Sequence, residues 1–197
     1  MLEANRARVT SMSHQQFFAR HAADVARDLV GATFTVDNVG GVIVETEAYT
    51  ADDEASHSFR GKTPGNSVMF GKPGDVYVYR SYGLHWCLNF VCLPASAVLI
   101  RAIAPEHGLA QMYARRKMHN DTLLCAGPGR LCQALDITGK FNGLSLELPI
   151  FSLTIPVSHS PLQCGPRIGI SKAKDVPWRF GLSGSNYLSK SFPPFTV

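Results

Sequence analysis

A chain of 197 residues, 45% hydrophobic and 17% charged, is long enough to bury one sizeable core and too apolar to be disordered. Its net charge of +4 is unevenly spread: residues 1–54 carry four Lys/Arg against nine Asp/Glu, residues 55–135 nine against three, and residues 136–197 six against three. A basic body behind an acidic first third suits a polyanion such as nucleic acid, although uneven charge also occurs in proteins that bind none.

Residues 1–13 are expected to be a tail, and 14–197 a single domain. Ser13 is placed to cap a helix over about 14–28, with Phe17, Phe18, Ala22, Val25 and Leu29 at helical spacing. Gly31 ends it, GATFTV (31–36) reads as a strand, and residues 37–40 turn the chain into a second strand over 41–49, giving a hairpin. Residues 59–74 form a long Gly- and Lys/Arg-containing loop, without the spacing of a phosphate loop. DVYVYRSYGLHWCLNFVC (75–92) holds two strand-like runs around residues 81–83, and SAVLIRAIAP (96–105) is an apolar strand interrupted by Arg101. Pro105 and Glu106 open a helix through about Lys117, whose basic end Arg115-Arg116-Lys117 fits a solvated terminus. Gly127-Pro128-Gly129-Arg130 leads into a short helix, as a phosphate-holding start or a simple turn. GPRIGIS (165–171) and PWRFGLSGS (177–185) read as closing strands.

Five cysteines (Cys87, Cys92, Cys125, Cys132, Cys164) form no CxxC pair, which disfavours a disulfide framework and a zinc site. No apolar run approaches the ~20 residues of a membrane helix. The first residues lack the apolar core of a secretion signal. An intracellular protein without metal or cofactor is expected.

The most purposeful chemistry lies in VIVETEAYTADDEASHS (42–58). Side chains alternate along a strand, so Val42, Val44, Thr46 and Ala48 share one face, read as the core side. Ile43, Glu45, Glu47 and Tyr49 share the other. Two carboxylates and a tyrosine on one face, followed by His57, are the parts of an acid–base site. Two ordinary glutamates on a solvated face give the same pattern, and Glu45 facing a cation would be structural. Tyr77 and Tyr79 share a strand face, with Tyr82 at the turn tip. Beside Lys72, Arg80 and Arg101 they suit base stacking; a tyrosine-rich sheet face gives the same pattern at Tyr77 and Tyr79, though less readily at the tip.

VIVETEAY with a following AxH, MFGKPGDVYVYRSYGLHWCLN, LIRAI, GPGRLCQAL and GPRIGI occur in order over roughly residues 16–188. In these motifs the chain resembles the alkyladenine (3-methyladenine, hypoxanthine) DNA glycosylase family. The resemblance implies a base-excision-repair enzyme acting on damaged purines in double-stranded DNA, among them 3-methyladenine, 7-methylguanine, hypoxanthine and ethenoadenine. It implies that Glu47 deprotonates the water attacking the sugar C1′. Arg101 would position that water, with a backbone carbonyl near Leu182 as a third contact. Tyr49, His57 and Tyr79 would sandwich and contact the flipped base, Asn89 would obstruct the exocyclic amine of guanine, and Tyr82 would fill the gap left in the duplex. A base inside a duplex must be flipped before it is reached, and a wedge offsets part of the unstacking. No lysine lies within the core motifs around Glu47 and Arg101, and a Schiff-base nucleophile would need one, so a monofunctional enzyme is expected. The fold expected is mixed α/β (α+β): one domain with a curved, largely antiparallel sheet, peripheral helices and a protruding β-hairpin entering the minor groove. A monomer with no membrane association fits that account. The alternatives are a sugar hydrolase using Glu45 and Glu47 as paired carboxylates, and a non-catalytic module that binds lesions by stacking.

Overall fold

A computed structural model of the chain describes residues 13–158 and 160–193, so the expected tail, save Ser13, lies outside the described residues. Ser13 opens α1 (His14–Phe18) with a capping box: its hydroxyl accepts from the Gln16 N–H, and the Gln16 side chain accepts from the Ser13 N–H. The single helix expected over 14–28 is two. Arg20 Nε donates to the Phe17 carbonyl, His21 accepts from the Ala23 N–H, and α2 (Ala22–Leu29) starts there. The apolar spacing survives the break, because Phe17, Phe18, Val25 and Leu29 all reach the core.

Strand β1 (Thr33–Val36) turns through Asp37 and Asn38, both at positive φ, into β2 (Val39–Tyr49), with Val36 opposite Val39. Two consecutive left-handed residues match the twist of a two-residue hairpin. Next come β3 (Val76–Ser81), β4 (His85–Val91) and β5 (Ala97–His107). They are followed by α3 (Leu109–Arg116), α4 (Asp121–Leu124), α5 (Pro128–Ala134), β6 (Phe151–Thr154), β7 (Leu162–Gly165) and β8 (Arg179–Leu182). The antiparallel path runs β3-β4-β5-β2-β1-β6, with β8 joined to β2 and β7. One edge of β2 is thus handed from β1 to β8 part-way along. Helix α2 packs on β2, and α5 packs on β4 and β5. Phe18, Phe34 and Phe90 meet edge to face in the core between them. The product is a single α+β domain with a curled antiparallel sheet, as expected.

Three expectations need correction. Strand β5 continues through Pro105, which lies opposite Gly41, so the following helix starts at Leu109, not at Pro105. The end of that helix is not merely solvated: Arg115 donates to the Ala134 carbonyl and Arg116 to that of Leu124, tying α3 to α4 and α5. Of GPRIGIS only Gly165 is strand; the rest is a loop.

The fourth correction matters most for the site. Ile43 lies opposite Ile103 and Glu45 opposite Ala102, which leaves Val44 without a partner; Thr46 then lies opposite Ile100, which leaves Arg101 without one. Two bulges of opposite sense cancel in register but re-aim the side chains between them. Ile43 therefore joins Ala48 in the core, whereas strict alternation separates them, and Val44 stays outside that cluster. Thr46 donates to the Ala26 carbonyl of α2 at 2.8 Å, leaving Glu45, Glu47 and Tyr49 on the opposite face.

Candidate active site

That opposite face is not solvated. Glu45 and Glu47 are both 0% exposed, so each carboxylate needs partners to replace water. Glu47 Oε2 accepts from the Tyr49 hydroxyl at 2.8 Å and pairs with Arg101 Nη1 at 3.2 Å, while Oε1 accepts from the Ile168 N–H at 2.7 Å. Glu45 Oε1 accepts from Arg101 Nε at 3.1 Å, Arg179 Nε at 2.7 Å and the Ser189 hydroxyl at 2.8 Å. Its Oε2 accepts from the Ser189 N–H at 2.5 Å. Glu45 thus faces two guanidiniums, and Glu47 faces one.

Burial raises the Tyr49 phenol far above its ordinary range, and the Glu47 charge and hydrogen bond add to it, so it remains a donor. Burial works against the Arg101 charge, but Glu47 and Glu45 outweigh it and raise its pKa.

A cleft of about 500 Å³ opens in front of this cluster. Tyr49, His57, Tyr79, Asn89 and Arg101 line it, and Tyr82 stands at its edge; Glu47 sits behind the wall formed by Tyr49, Arg101 and Ile168. The loop at residues 50–58 carries His57 over the sheet, where Nδ1 meets the Tyr77 hydroxyl at 3.1 Å. The His57 and Tyr79 rings touch edge to face with centroids 4.3 Å apart, so a flat ligand has no room between those two. Any sandwich must set Tyr49 against the His57–Tyr79 pair. Partial burial lowers the His57 pKa. Asn89 Nδ2 donates to the Tyr77 carbonyl at 3.1 Å and to that of Cys87 at 3.4 Å, fixing the amide in the cleft wall.

The β3–β4 hairpin closes through Tyr82, Gly83 and Leu84 between the paired Ser81 and His85. Tyr82 is 85% exposed and Leu84 77% exposed, and Tyr82 holds a φ of 48°. Two exposed apolar side chains on a left-handed tip make no core contact that would explain them. The hairpin base leans on the start of α5, where any Cβ at Gly129 would lie 2.7 Å from the His85 ring.

A sequence profile described as methylpurine-DNA glycosylase (MPG) matches residues 16–186. The chain belongs to the methylpurine-DNA glycosylase family. Three bacterial relatives carry the name "Putative 3-methyladenine DNA glycosylase". The one from Nitrosospira multiformis is 60% identical over 178 residues, 89% of this chain and 92% of the relative. That from Agrobacterium fabrum is 57% identical over 180 residues, 91% and 93% of the two chains. That from Rhizobium meliloti is 58% identical over 180 residues, 91% and 97%. By family the protein is a DNA glycosylase of base excision repair, and its substrate is DNA. No helix among the described residues is long and apolar enough to cross a membrane.

Several residues that build this glycosylase site were not singled out by sequence reasoning. Arg167 is buried, pairs with Asp53, donates to the Ala48 carbonyl at 2.9 Å and lies 4.7 Å from the Tyr49 ring centroid. It anchors the loop that brings the Ile168 N–H to Glu47. The available signal was an arginine inside the Gly/Pro-bounded motif GPRIGI, misread as a strand. Arg179 and Ser189 gave no local signal for their contact with Glu45. Lys172 lines the cleft although it lies outside the family motifs. Leu182 does not line the cleft; on β8, Gly181 pairs with Glu45 and Arg179 with Glu47, and the Ile168 N–H donates to Glu47 from the loop after β7.

Proposed function

We propose that this glycosylase flips alkylated or deaminated purines, 3-methyladenine, 7-methylguanine, hypoxanthine and ethenoadenine among them, out of duplex DNA. It then hydrolyses the N-glycosidic bond with a water deprotonated by Glu47 and leaves an abasic site. The observation that carries this reading is a fully buried carboxylate, fixed by Tyr49, Arg101 and the Ile168 N–H, directly behind an aromatic cleft.

The β3–β4 hairpin enters the minor groove and Tyr82 occupies the vacated stack, offsetting part of the few kcal/mol that flipping costs. The purine lies between Tyr49 and the His57–Tyr79 pair, while Asn89 blocks the exocyclic amine of guanine. Arg101 holds the attacking water against Glu47; water attack at C1′ breaks the bond to the purine nitrogen, and Glu47 takes the proton. N3- or N7-alkylated purines leave readily because they already carry positive charge. Neutral hypoxanthine or an etheno-adduct needs protonation or hydrogen bonds on the departing base, help typically worth ~10²–10⁴ in rate. The enzyme acts as a monomer inside the cell, without metal or cofactor.

A buried carboxylate beside Arg101 supports hydrolysis over Schiff-base chemistry. Lys172 on the cleft wall makes this testable: borohydride during turnover should trap no protein–DNA adduct, and an adduct lost in Lys172→Ala would overturn monofunctionality. The activity itself is tested by incubating methylated duplex DNA with the protein and separating the freed bases. Release of 3-methyladenine is expected; its absence would contradict the reading.

One observation favours a second reading, a non-catalytic lesion-binding module. Both Glu47 oxygens already have donors, and Glu47 does not itself line the cleft. Catalysis requires a water to share one of those contacts once lesion DNA is bound, when catalytic hydrogen bonds tighten. Lesion binding without base release would establish the module.

A further inference from the structure

The Arg101 guanidinium has a different partner on each nitrogen: Nε meets Glu45 at 3.1 Å, Nη1 meets Glu47 at 3.2 Å, and Nη2 meets the Ser189 hydroxyl at 3.3 Å. A guanidinium is a rigid plane, so fixing two arms fixes where the third points. Arg101 is also the unpartnered bulge residue of β5, a backbone position that aims a side chain without locking it. The lock comes from elsewhere. Ser189 lies 88 residues further along, and its hydroxyl donates to Glu45 Oε1 while accepting from Arg101 Nη2. One hydroxyl hydrogen and one lone pair are thus both used.

The segment bearing Ser189 is itself held down. Arg179, the second cation on Glu45, donates to the Lys190 carbonyl, and its guanidinium lies 3.9 Å from the centroid of the Phe192 ring. That ring rests on Gly181, where any Cβ would come within 2.4 Å of it, so the strap seats only on a bare backbone.

We propose that Glu45 and Ser189 are positioning residues: the segment at 185–193 latches onto Glu45 and, through it, aims Arg101 at Glu47. This rests on the assignment of Arg101 and Glu47 to base release. The latch sits outside the cleft, so it acts on the reacting groups only through Arg101.

The test uses Ser189→Ala and Ser189→Thr in the full chain. Single-turnover base release from a hypoxanthine duplex, affinity for the same duplex and thermal melting are measured in parallel. The ¹⁵N signals of the Arg101 guanidinium are followed beside them. Misplacing a reacting group by about 1 Å costs roughly a hundredfold. Ser189→Ala is therefore expected to slow release by about tenfold to a hundredfold, with affinity within about twofold of wild type. Ser189→Thr, which keeps the hydroxyl, restores the rate to within about threefold. The Arg101 Nε–H signal, slow to exchange in wild type, broadens in Ser189→Ala and returns in Ser189→Thr. Release by Ser189→Ala at the wild-type rate would overturn the proposal. So would a loss shared equally by rate and affinity and not rescued by threonine. Wild type that releases no base would refute the proposed activity instead, and the Arg101 signals would still decide the latch.

Discussion

The Tyr49 hydroxyl donates a 2.8 Å hydrogen bond to Glu47, two residues earlier on the same strand face. Burial and the Glu47 charge keep the phenol protonated well above its ordinary range, so it stays a donor at neutral and moderately alkaline pH. Tyr49→Phe removes it and leaves a buried carboxylate short of one partner, at about 1–3 kcal/mol of stability. Single-turnover base release should fall by more than the melting change accounts for. Release unchanged in Tyr49→Phe would show that the hydroxyl plays no part in setting Glu47.

Tyr82 is nearly fully exposed on a left-handed turn, so its ring does nothing for the free protein. Tyr82→Ala should change stability by less than about 0.5 kcal/mol, and Tyr82→Gly should melt no lower, because glycine accepts that φ without strain. Both should bind a lesion duplex more weakly by about 1–3 kcal/mol, the worth of one stacked base. The salt dependence of binding should stay as in wild type, since no phosphate contact is removed. A changed salt slope would mean that the tip contacts the backbone rather than the stack.

Asn89 is tied by its amide to the carbonyls of Tyr77 and Cys87. Asn89→Ser shortens the side chain, opens the cleft wall and should raise excision of guanine-type purines relative to adenine-type ones. Loss of the amide donor should also lower stability by about 1–3 kcal/mol. Competition between guanine- and adenine-type lesion duplexes reads the first effect. An unchanged ratio would refute the gatekeeper role.

Much of this was legible in the sequence, and the omissions share a cause. Both hairpins announced themselves through local turn chemistry, Asp37-Asn38 in one and Tyr82-Gly83 in the other. Each side chain that the family resemblance singled out lines the cleft or, for Glu47, sits behind its wall. The parity switch at Val44 and Arg101 was not legible, since a bulge is decided by the partner strand. Pro105 read as a helix start because proline suits a first helical turn, yet it lies in a strand pair opposite Gly41. The contacts Glu45–Ser189 and Asp53–Arg167 join residues more than a hundred positions apart, with no periodicity to reveal them.

His57 supplies a pH-dependent term with a definite sign. Its pKa is lowered by burial from the ordinary 6.5, so around and just below that value the unfolded chain binds more protons than the folded one. Its contribution to stability is therefore complete above about pH 6.5 and is lost as pH falls through the lowered folded value. Replacing His57 with Gln should flatten that part of the melting-temperature profile. Equal slopes in the two proteins between about pH 5 and 7 would show that His57 is not the group responsible.

The central claim is that Glu47 activates the hydrolytic water, and its most direct test is one duplex with a single hypoxanthine. Wild type and Glu47→Gln are compared for abasic-site formation, scored with and without alkali. Base release by wild type alone, with strand breaks only after alkali, is the expected result. Release by Glu47→Gln at the wild-type rate would contradict the claim and place the base elsewhere.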